Sequence, residues 1–192
     1  MINNFSKNKL KYNQGFSLVE TLVAVLLFSV GVVTMLNVLA KGISDTGYAK
    51  QKISAEYMAQ EGIELVRNIR DTHVLYSPSP QTGWNAFRAS LGSCNGKCYI
   101  NADNLFVVTP PMQITKIPVI ACGQSCPTIL YNSNNGKFGY TTGTSSGMLR
   151  EIRVDPVAGT SDEIKITSTV FWNQGSGTYK VSFTENLYNW LE

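Results

Sequence analysis

An apolar run near the N-terminus limits the possible folds of this chain more than any other feature. From Phe16 to Ala40 the sequence reads FSLVETLVAVLLFSVGVVTMLNVLA, in which Glu20 is the single charge. As an α-helix this run would be about 37 Å long, which exceeds the roughly 30 Å hydrocarbon core of a bilayer. A secretory signal peptide has a shorter apolar stretch that ends in small residues, whereas Lys41 and Gly42 follow here. We therefore predict a membrane-spanning helix.

The flanking charges give only a weak orientation for this helix. Three lysines lie close to each end: Lys7, Lys9 and Lys11 before the run, and Lys41, Lys50 and Lys52 after it. The count of positive charges, which usually marks the cytoplasmic side, is therefore equal. The absence of acidic residues before residue 16 favours a cytoplasmic N-terminus.

Glu20 does not suit a simple membrane anchor. A carboxylate at the centre of a spanning helix costs about 2.5–3.5 kcal/mol on insertion scales, and such residues usually have a partner or a function. Glu20 lies one turn from Phe16, so it could instead extend toward the interface. The residues alone leave both interpretations open.

The segment around Glu20 resembles the processing site of type IV prepilins and of type II secretion pseudopilins. The resemblance rests on Gly15-Phe16-Ser17-Leu18-Val19-Glu20, on the apolar helix that follows, and on the basic, acid-free leader before it. In that family a membrane peptidase cuts after the glycine and methylates the new N-terminal phenylalanine. The resemblance therefore implies cleavage between Gly15 and Phe16, N-methylation at Phe16, and an assembly role for Glu20.

The family also implies a mechanism and partners. A new amine at Phe16 would be neutralised by Glu20 of a neighbouring subunit, because opposite charges attract strongly in a low-dielectric medium. The partners implied are other pilin subunits through helix packing, the prepilin peptidase, the inner-membrane assembly platform, and membrane lipid before assembly. The implied location is a single-pass inner membrane protein with its globular domain outside, and an extracellular filament after assembly.

One departure from the family pattern narrows the expected role. Many major pilins carry a proline that kinks this helix, whereas the first proline here is Pro78. We therefore expect a minor pilin, a structural subunit of a type IV pilus-like filament. The alternatives are a type II secretion pseudopilin, and an adhesin or binding module anchored by a pilin-like helix.

Helical periodicity continues beyond the apolar run. Apolar residues recur mostly at three- to four-residue steps up to Ile69, with charges between them, which predicts one helix from residue 16 to about Asp71. The stretch from Ser77 to Gly83, SPSPQTG, is expected to be a loop. The expected divisions are a leader (1–15), a transmembrane and filament-core half of the helix (16–40), an amphipathic half (41–71) and a β-rich extracellular domain (72–192).

Beyond residue 83 the patterns favour strands. We predict one hairpin whose arms, 129–131 and 138–140, flank a turn at Asn135-Gly136, a short strand at 149–154, and a second hairpin whose alternating arms, 164–172 and 179–183, flank 173–177. The expected fold class is α+β, with a long N-terminal helix followed by an antiparallel sheet, as in pilins. The tail NLYNWLE is expected to pack on the sheet or the helix.

The four cysteines form two close pairs, Cys94/Cys98 and Cys122/Cys126. In an exported domain this spacing favours disulfides, whereas in the cytosol four thiolates would suggest zinc. We expect local pairing, with Cys94 to Cys98 as a hairpin loop, although four cysteines permit three connectivities.

Composition gives little support for catalysis or for nucleic-acid binding. The net charge is +3, and the leader holds all of that excess. A nucleic-acid binder would be expected to keep its basic charge in the folded domain, so this function is not indicated. The single histidine, His73, is interpreted as a cation just beyond the helix end.

No enzymatic activity, cofactor or metal is expected. Three acidic residues could in principle bind a cation, but we expect them to lie in a loop exposed to solvent: Asp155, Asp162 and Glu163. We expect core positions for the three tryptophans, Trp84, Trp172 and Trp190.

Overall fold

The structure, a computed structural model, describes residues 15–102, 108–109, 113–114 and 119–189. Contacts divide the chain into a first unit that ends at Gly47 and a second unit that begins at Tyr48. The leader up to residue 14 and Trp190 lie outside the described residues.

The described chain has helices first and strands afterwards. The helices are α1 (Leu18–Leu75), α2 (Pro80–Ser90) and a short 3₁₀ helix (Gly92–Cys94). The strands are β1 (Cys98–Ile100), β2 (Val108–Thr109), β3 (Gln113–Ile114), β4 (Val119–Ala121), β5 (Thr128–Asn132), β6 (Lys137–Gly139), β7 (Thr144–Pro156), β8 (Glu163–Gln174) and β9 (Gly177–Tyr188). All described pairings are antiparallel. The predicted α+β, pilin-like class is confirmed.

Helix α1 is longer than its predicted end at Asp71, because its buried face continues. Within the second unit this face is formed by Ala55, Met58, Ala59, Gly62, Ile63, Leu65, Val66, Ile69 and His73. His73 lies one turn after Ile69 and is itself buried, so the helical spacing persists to the last turn. The helix therefore ends at Leu75.

Helix α2 replaces the predicted loop from residue 80 onward, so that prediction was wrong. Ser79 is the N-cap, its side chain accepts a hydrogen bond from the backbone N–H of Thr82 at 3.3 Å, and Pro80 begins the helix. Proline suits the first helical position because its missing N–H would have no intrahelical partner there. Gly83 lets α2 approach α1 closely, since a Cβ there would lie 2.6 Å from the Cα of Val74.

Strands β7, β8 and β9 form the body of the main sheet. Strand β8 pairs with β7 along one edge and with β9 along the other. The opposite edge of β7 is shared by two short additions: β1 with its neighbour β4, and β5 with its neighbour β6. Strands β2 and β3 pair with each other and, among the described strands, with no other.

Both predicted hairpins are present. Strands β5 and β6 flank a turn that contains Gly136 in a left-handed conformation, with φ 69°. Strands β8 and β9 meet at a turn closed by the pair Gln174 and Gly177, which is tighter than the predicted loop. Strand β7 is longer than the predicted 149–154 segment, because its ends pair with β5 and β8.

The core of the second unit lies between α1 and one face of the sheet. One cluster joins the later turns of α1 to α2 and to the sheet, and a second joins Ala55, Met58 and Ala59 to the other end of the sheet. Trp84 and Trp172 are 1% and 3% exposed, which confirms their predicted core positions.

Candidate processing and assembly site

The N-terminus of helix α1 is capped by Ser17. The Ser17 Oγ accepts a hydrogen bond from the N–H of Val19 at 3.3 Å, and the Ser17 carbonyl accepts from the N–H of Thr21 at 3.1 Å. These bonds satisfy donors that the first turn of a helix leaves without partners. Serine at this position therefore fixes where α1 begins.

The peptide bond between Gly15 and Phe16 precedes that cap. Both residues lie in non-helical backbone, and the Phe16 side chain is 74% exposed. Apart from its chain neighbours, no described residue would lie within 4 Å of a Cβ at Gly15. A protease that needs close access to the backbone would meet no obstruction from the described chain at this bond.

Glu20 stands in the first turn of α1, three residues after the cap. A carboxylate there is favoured by the positive end of the helix dipole. The spacing Ser17-x-x-Glu20 is also that of a capping box, in which the acidic residue supports the helix start. The sequence analysis did not consider this spacing, although the four residues show it. Its position in the first turn gives Glu20 a favourable interaction with the helix dipole, apart from any partner.

The helix after Glu20 presents apolar side chains to its surroundings. Every described residue of the first unit is exposed. Several hydroxyl side chains along this stretch bond to the helix itself, as when Ser29 Oγ donates to the Val25 carbonyl at 2.7 Å and Thr34 Oγ1 to the Gly31 carbonyl at 2.8 Å. Internal satisfaction of polar groups is what a hydrocarbon environment demands. By length and composition, α1 is capable of crossing a membrane.

The four cysteines meet at one end of the sheet in the second unit. Cys94 ends the 3₁₀ helix and Cys98 begins β1, so the predicted hairpin loop between them was wrong. Each local pair, Cys94/Cys98 and Cys122/Cys126, is joined with a Cα–Cα distance of 4.8 Å, inside the usual disulfide range. The Cys126 sulfur lies 3.7 Å from the Cys98 carbonyl oxygen. Their oxidation in the native protein stays a prediction.

A buried arginine, which the sequence analysis did not single out, ties α1 to the sheet. Arg150 on β7 is 3% exposed, and its Nη1 donates to the Met58 carbonyl at 3.0 Å and to Glu61 Oε2 at 2.9 Å. Its neighbour Tyr140 has a pKa raised above the ordinary value, chiefly by burial, and opposed by the Arg150 charge. This contact set positions the helix against the sheet.

A second ion pair joins α1 to strand β9, nearer the end of the helix. Arg67 Nε donates to Glu185 Oε1 at 2.9 Å, and its Nη2 donates to Oε2 at 2.5 Å. This forked geometry fixes orientation as well as distance. The hydrogen bond that Arg67 donates to Glu185 raises the pKa of Arg67 above its already high value.

His73 lies near the C-terminus of α1, as predicted, but its interpretation as a cation beyond the helix end was wrong. His73 lies inside α1 and is 6% exposed, and burial lowers its pKa below the ordinary 6.5. Its Nε2 is buried without a hydrogen-bond partner among the described residues. A buried histidine of this kind is neutral at pH 7.

The three acidic residues considered for cation binding are engaged elsewhere. Asp155 accepts from Arg153 at 3.0 Å, Asp162 from Asn189 at 3.1 Å, and Glu163 from Asn186 at 2.7 Å. In the part of the chain that the structure describes, no three histidine, cysteine or acidic residues are grouped so as to hold a metal ion.

Comparison with known proteins identifies the N-terminal segment. Residues 10–36 match the prokaryotic N-terminal methylation motif. Comparison with curated proteins and with solved structures gives no match. The matched range includes the exposed Gly15–Phe16 bond, the Ser17 cap and Glu20, and it extends into the exposed apolar helix. The N-terminal segment of the chain therefore carries the signature that type IV pilins and pseudopilins share.

Proposed function

We propose that this chain is a structural, non-enzymatic subunit of an extracellular type IV pilus-like filament, a minor pilin cut after Gly15 and N-methylated at Phe16. The observation that carries the proposal is the methylation motif at residues 10–36, which continues directly into a helix whose apolar surface is exposed. In the membrane, lipid covers this surface. In the filament, the helices of other pilin subunits replace the lipid.

The proposed route to the filament has four stages. The chain is held in the inner membrane by residues 16–40, with the N-terminus cytoplasmic and the domain 72–192 outside. Prepilin peptidase then removes the leader 1–15. The inner-membrane assembly platform transfers the subunit to the growing filament, where residues 41–71 connect the helical core to the exposed domain.

Glu20 is proposed to pair with the Phe16 amine of a neighbouring subunit. Both groups lie at the start of the helix, where the surrounding surface is apolar. Two charges in that environment are each unfavourable alone and attract strongly when paired. The pair would set the axial register between helices that otherwise share an uncharged surface.

A minor rather than a major role is supported by the helix itself. Helix α1 contains no proline over its full span from Leu18 to Leu75. An uninterrupted helix also suits a type II secretion pseudopilin, which is the second candidate function. Deletion of the gene separates the two: loss of pili with normal protein secretion supports the minor pilin, and loss of secretion with normal pili supports the pseudopilin.

Cleavage is tested by intact mass of the protein extracted from membranes. We expect the native chain to begin at Phe16 with one added methyl group. Gly15→Val should retain the leader, because a branched side chain obstructs close approach of the peptidase to the backbone. A native protein that keeps Met1 to Gly15 would contradict the proposal.

The charge pair is tested with variants that separate charge from helix capping. Glu20→Gln removes the charge and keeps a side chain that still suits a capping box, whereas Ser17→Ala removes the cap and keeps the charge. We expect Glu20→Ala and Glu20→Gln to be cleaved and stable yet missing from sheared filaments, since losing one partner of a desolvated pair costs roughly 3–5 kcal/mol. Ser17→Ala should still assemble. Normal assembly of Glu20→Gln would reject the charge pair.

A further inference from the structure

Strand β9 leaves a long side of the main sheet without a partner. Its residues Gly177–Tyr188 pair with β8 on one side, and no strand in the described part of the chain pairs with the other side. The two strands that end the opposite side of the sheet, β4 and β6, have three residues each. Short terminal strands are a common way to keep other chains from pairing with an edge. The twelve-residue strand β9 lacks that protection.

The turn before β9 determines which of its backbone groups face outward. Gln174 and Gly177 close the two-residue turn, and the residues that flank such a turn exchange both backbone hydrogen bonds. Every second residue from Gly177 therefore bonds to β8, and the alternate residues point their N–H and C=O groups away from it. The outward set is Thr178, Lys180, Ser182, Thr184, Asn186 and Tyr188.

Hydroxyl contacts support this assignment independently. Side chains lie closest across a pair that does not exchange backbone hydrogen bonds. Ser182 Oγ lies 2.9 Å from Thr169 Oγ1, and Thr184 Oγ1 lies 3.3 Å from Thr167 Oγ1. Ser182 and Thr184 thus belong to pairs of that kind, so their N–H groups point outward.

The two faces of β9 define what an added strand would need. The outward set is exposed, and its members are polar or, at Tyr188, amphipathic. On the other face Val181 and Phe183 are half-buried and pack against the core clusters. An added strand with apolar residues on the face of Val181 and Phe183 would extend the core. Its polar residues would lie on the other face, beside Ser182 and Thr184.

Charge argues for a different chain as the occupant. Lys180 is the one charged residue of the outward set, which contains no carboxylate. A second copy of β9 therefore offers nothing acidic to place opposite Lys180. Opposite charges placed across a strand pair stabilise it.

We propose that the outer edge of β9 receives an extended segment of a different polypeptide by strand addition. The segment alternates apolar and polar residues and carries an acidic residue opposite Lys180. Main-chain hydrogen bonds to the outward set supply most of the affinity, and the alternating side chains supply selectivity. This site does not depend on the filament role, because it belongs to the second unit.

The test uses the full chain in detergent and the synthetic peptide TVTVEVTVT, labelled with a fluorophore, with anisotropy as the measurement. The variant Ser182→Pro loses one outward N–H but keeps every backbone hydrogen bond to β8, and proline is tolerated in edge strands. The matched control Ser182→Ala removes the same hydroxyl and keeps the N–H. We expect binding to wild type and to Ser182→Ala alike, and binding about tenfold weaker to Ser182→Pro, which corresponds to about one lost hydrogen bond. The peptide TVTVKVTVT should bind more weakly than its glutamate counterpart.

Hydrogen exchange on the wild-type chain keeps the test decisive if the proline variant does not fold. The amides of Lys180, Ser182 and Thr184 should exchange fast in the free protein and slowly with the peptide bound. The amides of Val181 and Phe183, which face β8, should be slow in both states. Absence of peptide binding, or protection that leaves these three outward amides unchanged, overturns the proposal. Dimerisation of the full chain that Ser182→Pro abolishes also overturns it, because the edge would then belong to a second copy.

Discussion

The two ends of helix α1 have the same backbone conformation and opposite relations to their surroundings. In the first unit every described side chain is exposed, and most of these side chains are apolar. In the second unit the same helix buries one face against the sheet and exposes charged residues on the other. Helical structure alone therefore does not show what stabilises a segment, because the first stretch needs partners outside the chain and the second finds them within it.

Truncating one apolar side chain in each region should show the difference between the two regions most clearly. Ile69 is fully buried, so Ile69→Ala should lower the free energy of unfolding by about 2–5 kcal/mol. Leu26 is 62% exposed, and Leu26→Ala should leave the unfolding of the second unit unchanged. Denaturant unfolding in detergent, followed by the fluorescence of Trp84 and Trp172, measures both. Equal losses would contradict the division described above.

Reduction of the cysteines should affect the second unit alone. Each local disulfide closes a short loop, for which chain entropy predicts a stabilisation of about 2 kcal/mol. A chain treated with a dithiol should unfold at lower denaturant, while the helical circular dichroism contributed by the first unit persists. Alkylation of the unreduced native protein should label no cysteine. Four labelled cysteines, or one zinc ion per chain, would reject the disulfides.

Two glycines in the same helix offer a finer comparison. A Cβ at Gly62 would lie 3.1 Å from both Arg150 Cδ and Ser168 Cβ, so Gly62→Ala should destabilise the second unit by about 1–3 kcal/mol through overpacking. A Cβ at Gly31 meets nothing within 4 Å. Gly31→Ala should therefore stiffen the first stretch, by up to about 1 kcal/mol of helix propensity. Opposite signs in thermal unfolding are expected, and destabilisation by both would argue against the close contact at Gly62.

The smallest effect should come from acid. Burial lowers the pKa of His73, so below pH 6.5 the unfolded chain takes up a proton that the folded chain does not accept until its own lower pKa. The contribution of His73 to the stability of the second unit is therefore complete above pH 6.5 and should be lost progressively as the pH falls below 6.5. His73→Leu removes this titration, so the denaturation midpoint of this variant should depend less on pH over the same range. Parallel pH profiles would show that another group is responsible.

The sequence predicted those parts of the fold that depend on long, regular patterns. The apolar run, the continuing helix and the alternating arms of β8 and β9 each repeat over many residues, and each was located. Helix α2 was missed because Ser79 and Pro80 lie in a stretch typical of loops. The helix is stabilised by the burial of Trp84 and Phe87, which follow that stretch.

The residues of the candidate site also divide into those that a local sequence pattern predicts and those that it does not. The processing motif is local, so Gly15, Phe16 and Glu20 were recognisable from consecutive residues. Arg150 and Glu61 are far apart in the chain, and neither sits in a pattern that identifies its partner. The burial of His73 likewise depends on how α1 and α2 pack, which no local spacing reveals.

The order of strands in the sheet has a consequence for biosynthesis. Strands β7, β8 and β9 are consecutive, each pairs with the next, and they follow helix α1 in the chain. Helix α1 is therefore synthesised long before the sheet that covers its apolar face. The three strands can pair quickly once they are made, because their contacts are close in sequence. During synthesis the residues of α1 that will be buried stay uncovered until the last strands have formed. Truncation before β8 should therefore expose the chain to proteolysis even with an intact N-terminus.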